Sequence, residues 1–406
     1  MTDPAYAIAP EIPRTARLAR WLLFRLLAGL TQGSLTLHEG GQRFHFGDEN
    51  ADLRAEVQVL SPLVWRRLLS GGSLAAAEAW MDGEWHTSQL SELLHILARN
   101  RPVLTRLEKG LRLLGMPLQR LGHWMRRNHR QQARKNIAAH YDLGNRFYQH
   151  FLDEDLLYSS ALFTQDSQSL ADAQQAKMQR LCEQLALTAD DHLLEIGTGW
   201  GALAEYAARR YGCRVTTTTL SREQFLYAQA RIAHAGLQER VKVLLCDYRD
   251  LTGQFDKLVS VEMIEAVGKA WLPRFFRTCQ DRLRPGGTLV IQAITIRDQR
   301  YADYSKRVDF IQRYIFPGGF LPSITAMSHT MTQHTDFVLR NLFDMGPDYA
   351  RTLAHWRQRF LHAWPEIAAL GFDERFRRMW LYYFAYCEAG FNARTISVVQ
   401  FTARRG

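Results

Sequence analysis

Apolar and polar residues recur along this chain with two different periods, and the change of period divides it into parts. Between residues 14 and 30, arginines recur three apart around Leu18 and Trp21. This spacing predicts a helix with one basic and one apolar side. Such a helix packs its apolar side on its own domain, which is the simpler interpretation, or docks on a membrane surface.

Short alternating segments follow this helix, and helical segments follow them. The alternation predicts strands at 34–38, 43–46 and 55–60, and the helical period predicts helices at 72–80 and 89–98. Together these elements predict a small α+β domain over residues 1–100.

The second half of the chain has the pattern of a parallel sheet. Five short runs of apolar or β-branched residues are separated by helical lengths, at 191–196, 213–218, 241–246, 257–261 and 287–293. This pattern is typical of strands that are buried on both faces of a sheet and joined by crossover helices. We therefore expect an α/β catalytic domain over residues 136–406.

Charge separates the two halves. The chain has 406 residues, 47% of them hydrophobic, and a net charge of +10. Ten cations and a single acid fall within residues 101–135, so this segment carries +9 of that charge. Leucines between the arginines predict one or two amphipathic linker helices. Polyanions and anionic membranes are the candidate partners, and Trp124 as the only aromatic residue makes stacking with nucleic acid bases the weaker alternative.

The cysteines indicate a reducing compartment. There are five, scattered and without a CxxC pair, so neither a disulfide framework nor a zinc site is predicted, and no metal is expected. No apolar run approaches the length of about 18 residues that a membrane span needs. We expect a cytoplasmic protein.

A glycine-rich turn marks the candidate cofactor site. Gly197, Gly199 and Gly201 follow the strand at 191–196 and precede a helix, a place where ligands approach the backbone closely. The turn alone also fits a dinucleotide fingerprint. That alternative is disfavoured, because the second strand offers no acid for a ribose about 20 residues later. Glu195 before the turn and Asp247 after the third strand resemble the class I S-adenosylmethionine (SAM)-dependent methyltransferases instead.

Five further motifs carry a narrower resemblance. They are HYDLGNRFY at 140–148, LYSSA at 157–161, VEMIEAVG at 261–268, YIFPGGFLP at 314–322 and YARTLAHW at 349–356. From about residue 134 onward the chain resembles the cyclopropane-fatty-acyl-phospholipid synthases and related mycolic acid methyltransferases. The resemblance implies a class I methyltransferase fold, which is a doubly wound, mostly parallel seven-stranded sheet, here with the small N-terminal α+β domain.

The resemblance also implies a set of cofactor-binding residues. These are Tyr158, Ser159, Glu195, Gly197, Gly199, Gly201, Thr219, Gln224, Asp247 and Tyr248. It further implies that 294–330 is an insertion forming part of an acyl pocket, that 334–344 and 396–404 complete the sheet, and that the last strand runs antiparallel. Helices are expected at 347–361 and 376–388.

For the chemistry, the resemblance places family residues on Glu265, Tyr349 and Cys387. The family methylates a double bond of an acyl chain, and the resulting carbocation loses a proton to bound bicarbonate. Here Ser160 stands for the family's cysteine and Gln292 for its histidine, which weakens the bicarbonate seat.

Glu262 stands where the family has glycine. A carboxylate three residues from Glu265 raises one of the two pKa values, and it can itself serve as the base. We hypothesise that Glu262 does so. The alternative is a solvent-facing residue at the end of a strand.

These inferences predict an enzyme that forms a cyclopropane on an unsaturated phospholipid chain in an anionic membrane surface, peripherally bound at its inner face. A sister enzyme that adds a methyl or methylene branch is the first alternative. A non-catalytic membrane-binding protein on the same fold is the second. Nucleic acid is not an expected partner. Chain length, headgroup and oligomeric state stay open, a homodimer among them.

Overall fold

A computed structural model describes residues 13–101 and 143–406, which fall into two compact units. The first unit combines the described N-terminal residues with Asp373–Ala389. The second consists of residues 143–372 together with Gly390–Gly406. The predicted linker helices at 101–135 lie, apart from Arg101, outside the described residues, so they stay a prediction, as do the domain boundaries.

The first unit is a small α+β arrangement. Its elements are α1 (Arg14–Leu27), β1 (Ser34–Glu39), β2 (Gln42–Gly47), β3 (Arg54–Val59), α2 (Val64–Met81), β4 (Trp85–His86) and α3 (Leu90–Arg99). The sheet has the order β2-β1-β3-β4, in which β1 and β3 run parallel and the other pairs antiparallel. The predicted N-terminal domain class is confirmed.

Helix α1 packs one side on this unit. Ala16 and Ala19 are buried, and the Phe24 ring lies 5.1 Å from Phe46 and 5.4 Å from Trp65 between ring centroids. The simpler interpretation therefore holds for the inner side of α1, while Leu18 remains exposed on its outer side.

The helix predicted at 72–80 begins earlier than expected. Helix α2 starts at Val64 and is interrupted at Gly72, whose φ of 59° and ψ of −139° are not helical. Glycine adopts this conformation at little steric cost, so two helical pieces join at a break within one element. The sequence prediction located only the second piece.

The second unit contains the large sheet and its helices. Its helices are α4 (Asn145–Gln149), α5 (Leu170–Leu185), α6 (Ala202–Tyr211), α7 (Arg222–His234), α8 (Leu272–Arg282), α9 (Asp298–Tyr304), α10 (Ile324–His334), α11 (Gly346–His362) and α12 (Trp364–Ala369). Its strands are β5 (His192–Ile196), β6 (Arg214–Thr219), β7 (Val241–Leu245), β8 (Phe255–Val261), β9 (Leu283–Ile296), β10 (Val338–Asp344) and β11 (Ile396–Arg404). Helix α13 (Glu374–Asn392) spans the two groups of residues.

The seven strands have the order β10-β11-β9-β8-β5-β6-β7. The strands from β5 to β9 pair in parallel, and β11 pairs antiparallel with both β9 and β10. The doubly wound, mostly parallel class I methyltransferase fold is thereby confirmed, including its antiparallel last strand.

Neighbouring residues of the central strands are buried on opposite faces of the sheet. Leu194, Leu258 and Leu289 belong to one apolar cluster, with Phe275 and Phe276 of α8. The preceding or following residues, Leu193, Val259 and Val290, belong to the other, with Leu181 of α5 and Leu203 of α6. Because both faces are covered, the strands appear in the sequence as continuous apolar runs.

Two boundaries differ from the prediction. Strand β9 continues through Pro285-Gly286-Gly287 rather than starting after it, because Gly286 takes a φ of 74° within a register shift against β8. The region 334–344 is only partly strand, since α10 extends to His334 and β10 starts at Val338. Within the described residues, no helix is both long and apolar enough to cross a membrane.

Candidate active site

The glycine turn joins β5 to α6 at the carboxyl edge of the sheet. Gly197, Gly199 and Gly201 have φ values of 108°, 53° and 88°. A Cβ on Gly201 would lie 3.1 Å from the Cβ of Ala228 in α7, whereas a Cβ on Gly199 would meet open space. Gly201 thus permits close helix packing, and Gly199 leaves the backbone accessible from the adjoining cavity.

Glu195 lies buried at the end of β5. Its Oε2 accepts a hydrogen bond of 2.5 Å from Thr217 Oγ1 of β6. Burial raises the pKa of Glu195 to about 8, and the hydrogen bond from Thr217 opposes this. One strand further on, Thr219 Oγ1 donates to Gln224 Oε1 at 2.9 Å, which fixes the first turn of α7 at the same edge.

Asp247 and Tyr248 follow β7. Asp247 caps a short 3-10 turn, and its carboxylate pairs with the Arg249 guanidinium, with an Nη2–Oδ2 distance of 2.5 Å. Both side chains are nearly buried. Asp247 is therefore engaged within its own loop, and Tyr248 is the member of this pair that faces the cavity.

A cavity of about 190 Å³ connects these elements. Eight of the ten predicted cofactor residues line it, namely Tyr158, Ser159, Glu195, Gly197, Gly199, Thr219, Gln224 and Tyr248. Gly201 and Asp247 do not. The cavity therefore brings together predicted residues from four separate segments, and the predicted cofactor contacts of Gly201 and Asp247 stay a prediction.

The lining fits a cationic, phosphate-free cofactor such as SAM. It combines accessible glycine backbone and a buried acid with the rings of Tyr158, Trp200 and Tyr248. Aromatic faces attract a positive charge such as a sulfonium. Among the described residues that line the cavity, Lys177 is the only lysine or arginine, in contrast to the clusters of cations that recognise phosphates.

Glu262 is half-buried and lines the cavity, and it takes a left-handed backbone conformation with a φ of 48°. Its Oε1 accepts hydrogen bonds from the Ser160 backbone N–H at 2.9 Å and from Gln292 Nε2 at 2.8 Å. The Tyr349 side chain hydrogen-bonds the same carboxylate. Three predicted residues, Ser160, Gln292 and Tyr349, thus converge on the carboxylate of a fourth, Glu262.

A buried lysine faces this carboxylate. Lys177 of α5 is 1% exposed, and its Nζ donates to Ser159 Oγ at 2.8 Å. Burial lowers the pKa of Lys177 to about 8, while the negative charge of Glu262 acts in the opposite direction. Burial raises the pKa of Glu262, and Gln292, Ser160, Lys177 and Tyr349 oppose that rise.

Glu265 lies one short turn further on. Its Oε1 accepts the Ile294 N–H of β9 at 2.5 Å, and its backbone carbonyl accepts the Phe320 N–H at 2.8 Å. Its Oε2 is buried without a hydrogen-bond partner among the described residues. Burial, and then the charge of Glu262, raise the pKa of Glu265 to about 8. The charge of Glu262 thus contributes to the raised pKa of Glu265, as expected for two neighbouring carboxylates.

The segment after β9 contacts this region. Phe320 reaches the loop of Glu265, and the Phe316 ring lies 6.2 Å from Tyr158 between centroids. Residues Ile311–Ile315 form a single π-helical turn between α9 and α10, a feature that is frequent near functional sites. The predicted role of 294–330 in an acyl pocket stays a prediction.

Cys387 lies on α13 within the first unit, where it is half-buried. Its catalytic role stays a prediction. Within 13–101 and 143–406, no group of three metal-ligating side chains is arranged to hold an ion.

Sequence reasoning missed Lys177. A single lysine in the helical run AQQAKMQRL is usually solvated, and nothing local indicates that it points inward. Its position in α5 gives one indication of burial. Lys177 is three residues after Gln174 and one before Met178, both of which are buried. It therefore falls on the inner face of the helix.

Comparison with known proteins decides the family. Residues 128–401 match the sequence profile of the mycolic acid cyclopropane synthetase family. The chain belongs to this family. Its methyltransferases are SAM-dependent, and the chain is such an enzyme, so the dehydrogenase and non-catalytic interpretations are set aside.

Family relatives with known names differ in their products. The tuberculostearic acid methyltransferase UfaA1 of Mycobacterium tuberculosis is 42% identical over 358 residues, which cover 84% of this chain and 81% of that protein. The cyclopropane-fatty-acyl-phospholipid synthase of Escherichia coli is 37% identical over 370 residues, covering 88% and 90%. The family is therefore certain, and both kinds of product occur among its relatives' names.

Solved structures of cyclopropane synthases superpose on about two thirds of this chain. The cyclopropane synthase MmaA2 of M. tuberculosis superposes with a TM-score of 0.63 at 30% identity, covering 67% of this chain and 98% of that one. The mycolic acid cyclopropane synthase CmaA1, solved with SAH and CTAB, gives 0.63 at 29% identity, covering 69% and 99%. The SAH in that structure agrees with a SAM site in this chain.

Proposed function

We propose that this methyltransferase alkylates a double bond of an unsaturated phospholipid acyl chain and closes a cyclopropane ring, with Glu262 as the base. The observation that carries the proposal is the half-buried Glu262 carboxylate at the cavity wall. It holds the Ser160 N–H, the Gln292 amide and Tyr349, the groups that the family resemblance assigned to bicarbonate. In this proposal, the side-chain carboxylate of Glu262 takes the place of bound bicarbonate.

The chemistry divides between the cofactor and the chain. When bound, SAM supplies an electrophilic methyl group to the alkene, which leaves a carbocation on the adjacent carbon of the acyl chain. The buried aromatic rings near Tyr158 exclude water and tolerate positive charge. Glu262 then accepts a proton from the new methyl group, and the electrons of that C–H bond form the third bond of the ring.

Two variants of Glu262 test the assignment of the base. Glu262→Gln keeps the shape but accepts no proton, so turnover should fall at least about 100-fold, whatever the bicarbonate concentration. Glu262→Gly relieves the left-handed backbone and vacates the three donors. This variant should be inactive alone and partly restored by added bicarbonate. If Glu262→Gln leaves turnover and its bicarbonate dependence unchanged, Glu262 is not the base.

A second candidate product is a methyl or methylene branch without ring closure, which the word methyltransferase in the name of the 42% identical relative favours. The methylene branch forms if a hydride shifts in the carbocation before proton loss, and the base then acts on the same methyl group. Reaction with methyl-deuterated SAM separates the products by mass spectrometry and NMR. Two deuteriums with shielded ring-proton signals support the proposal. Two with an alkene signal indicate the methylene branch, and three indicate a simple methyl branch.

We propose further that the enzyme binds the cytoplasmic face of an anionic membrane. Arg14, Leu18, Trp21 and Arg25 recur along one exposed stripe of α1. The Arg25 guanidinium lies 4.6 Å from the Trp21 ring centroid. Cations that flank an exposed tryptophan suit a lipid headgroup region, and the +9 segment at 101–135 adds about 1 kcal/mol for each well-placed cation.

Liposome sedimentation tests the membrane proposal. Reversing the charge of Arg126, Arg127 and Arg130 should weaken binding to vesicles with anionic headgroups and spare binding of S-adenosylhomocysteine. Trp21→Ala should weaken it as well. Equal loss of both activities, or equal binding to neutral vesicles or duplex DNA, would contradict the assignment.

A further inference from the structure

A second cation of α5 is linked to Glu262 through a line of buried amides. Arg180 follows Lys177 by three residues and therefore lies on a neighbouring part of the same helix face. Its guanidinium carbon stacks 3.9 Å from the Phe343 ring centroid in β10. Its Nε donates to Gln400 Oε1 of β11 at 3.1 Å.

The line continues across the sheet. Gln400 Nε2 donates to Gln292 Oε1 at 2.9 Å, and Gln292 Nε2 donates to Glu262 Oε1 at 2.8 Å. The other N–H of Gln292 reaches the Ser160 carbonyl at 3.3 Å. Because β11 pairs with β9 in a register that sets Gln400 opposite Gln292, the two amides meet directly.

The two ends of this line fix the direction of every hydrogen bond in it. Arg180 has only donors, so Gln400 must offer it the amide oxygen. The amide nitrogen of Gln400 then faces Gln292, which must offer it the Gln292 amide oxygen. The amide nitrogen of Gln292 therefore faces the Ser160 carbonyl and the Glu262 carboxylate, which both accept hydrogen bonds. Reversing either amide would set oxygen against oxygen or leave the guanidinium facing an amide nitrogen.

Water does not relieve this constraint. Gln292 and Gln400 are both fully buried. A reversed amide would thus leave polar atoms unpaired, which is costly in a buried site. The line therefore presents a donor to Glu262 Oε1, and a donor stabilises the carboxylate more than the neutral acid.

Other groups also face Glu262. Lys177 approaches from α5 and favours the carboxylate, Tyr349 donates from α11, and the Ser160 N–H donates from the preceding loop. Glu265 acts against it, because each of two neighbouring carboxylates disfavours the charge of the other. The amide line is one of several contributions, so its removal should change the ionisation of Glu262 without abolishing it.

We propose that Arg180 and Gln400 are positioning residues that orient the Gln292 amide and hold Glu262 in its carboxylate form. This inference rests on the proposed role of Glu262 where it concerns turnover. The hydrogen-bond line itself does not depend on that role.

The perturbation is Arg180→Met, which keeps an apolar side chain over Phe343 and removes the donor. The Glu262 titration is followed by ¹³C NMR of protein labelled at the glutamate carboxyl carbon, with the Glu262 signal assigned by its loss in Glu262→Gln. We expect the midpoint to rise by about half to one pH unit, and the acid limb of kcat to move with it. At a pH below the midpoint, a shift of this size lowers the rate about three- to tenfold relative to the wild type.

Three comparisons control the experiment. Arg180→Lys keeps a donor and should restore most of the wild-type midpoint. Gln400→Leu interrupts the line in its middle and should act like Arg180→Met. Arg277→Met removes an exposed arginine of α8 whose Nε donates to the backbone carbonyl of Pro273 in the same helix at 3.4 Å, and it should change neither quantity.

The outcomes separate the two proposals. An unchanged Glu262 titration in both Arg180→Met and Gln400→Leu overturns the inference. A raised midpoint with unchanged turnover supports the amide line and contradicts Glu262 as the base. Affinity for S-adenosylhomocysteine should stay within about twofold in all variants. A parallel loss of that affinity would indicate a general structural effect instead and would also overturn the inference.

Discussion

Replacing Lys177 with methionine should make the protein more stable and less active. Methionine has nearly the length of a lysine stem and is apolar, so it suits a site that is 1% exposed. The substitution removes a cation whose burial in this structure is unfavourable. It also removes a positive charge that favours the carboxylate form of the proposed base, Glu262.

The magnitude follows from the pKa of Lys177. Burial lowers it from 10.5 to about 8, and each pH unit corresponds to 1.36 kcal/mol, so the charged form is disfavoured by about 3 kcal/mol in the folded state. The lost hydrogen bond to Ser159 offsets about 1 kcal/mol of the gain. We expect Lys177→Met to unfold with a free energy about 2 kcal/mol higher near pH 7, and to melt about 4–8 °C higher.

The sign of the pH dependence provides an internal check. Below pH 8 Lys177 is protonated in both folded and unfolded chains, so the folded wild type carries the full unfavourable free energy of the buried charge. Between about 8 and 10.5 the folded chain loses this proton while the unfolded chain keeps it, which stabilises the wild type as pH rises. The advantage of Lys177→Met should therefore shrink between pH 8 and pH 10.

Urea unfolding at several pH values measures this difference, and Lys242→Met, the same change at an exposed lysine of β7, is the control. In turnover assays, the acid limb of Lys177→Met should move to higher pH, because Glu262 loses a positive charge that lowers its pKa. A variant that is less stable than the wild type at pH 7, or whose advantage persists unchanged to pH 10, would refute the reasoning.

Two further predictions concern the cofactor edge of the sheet. Gly199→Ala should fold with a loss of only about 1–2 kcal/mol, because its Cβ meets open space, yet weaken S-adenosylhomocysteine binding in calorimetry. Gly201→Ala should lower the melting temperature more, since its Cβ would press on Ala228 at 3.1 Å. Glu195→Gln removes a buried carboxyl whose pKa is raised to about 8 and which therefore opposes folding as pH rises. Its stability advantage over the ligand-free wild type should grow from pH 5 to pH 8 in urea unfolding.

The strands of the large sheet were predictable because their burial on both faces shows in consecutive residues of the sequence. Leu193 and Leu194 are buried on opposite faces, so an uninterrupted apolar run is the direct signature of such a strand. The limits of strands were less predictable. Strand β9 passes through Gly286 because pairing with β8 continues around a bulge, and such pairing depends on residues distant in the sequence.

Within the site, the resemblance located residues whose type differs from the family pattern, and this difference was itself informative. Glu262 in place of a glycine drew attention to a second carboxylate before any contact was known. By contrast, Arg180 and Gln400 lie 220 residues apart and meet only through the pairing of β11 with the sheet. No local pattern distinguishes them from a surface arginine and a strand glutamine.

The cluster around Glu262 combines features that folding alone disfavours. A left-handed glutamate costs about 1–2 kcal/mol relative to glycine, and a buried lysine and a second buried carboxyl, Glu265, add further unfavourable terms. Glycine at position 262 and methionine at 177 would remove most of this cost without altering the packing of the sheet. Residues that oppose stability yet satisfy one another through oriented donors are typical of functional sites. The same three donors that make the Glu262 carboxylate tolerable also fix where it can accept a proton, so the unfavourable terms and the proposed chemistry have one structural origin.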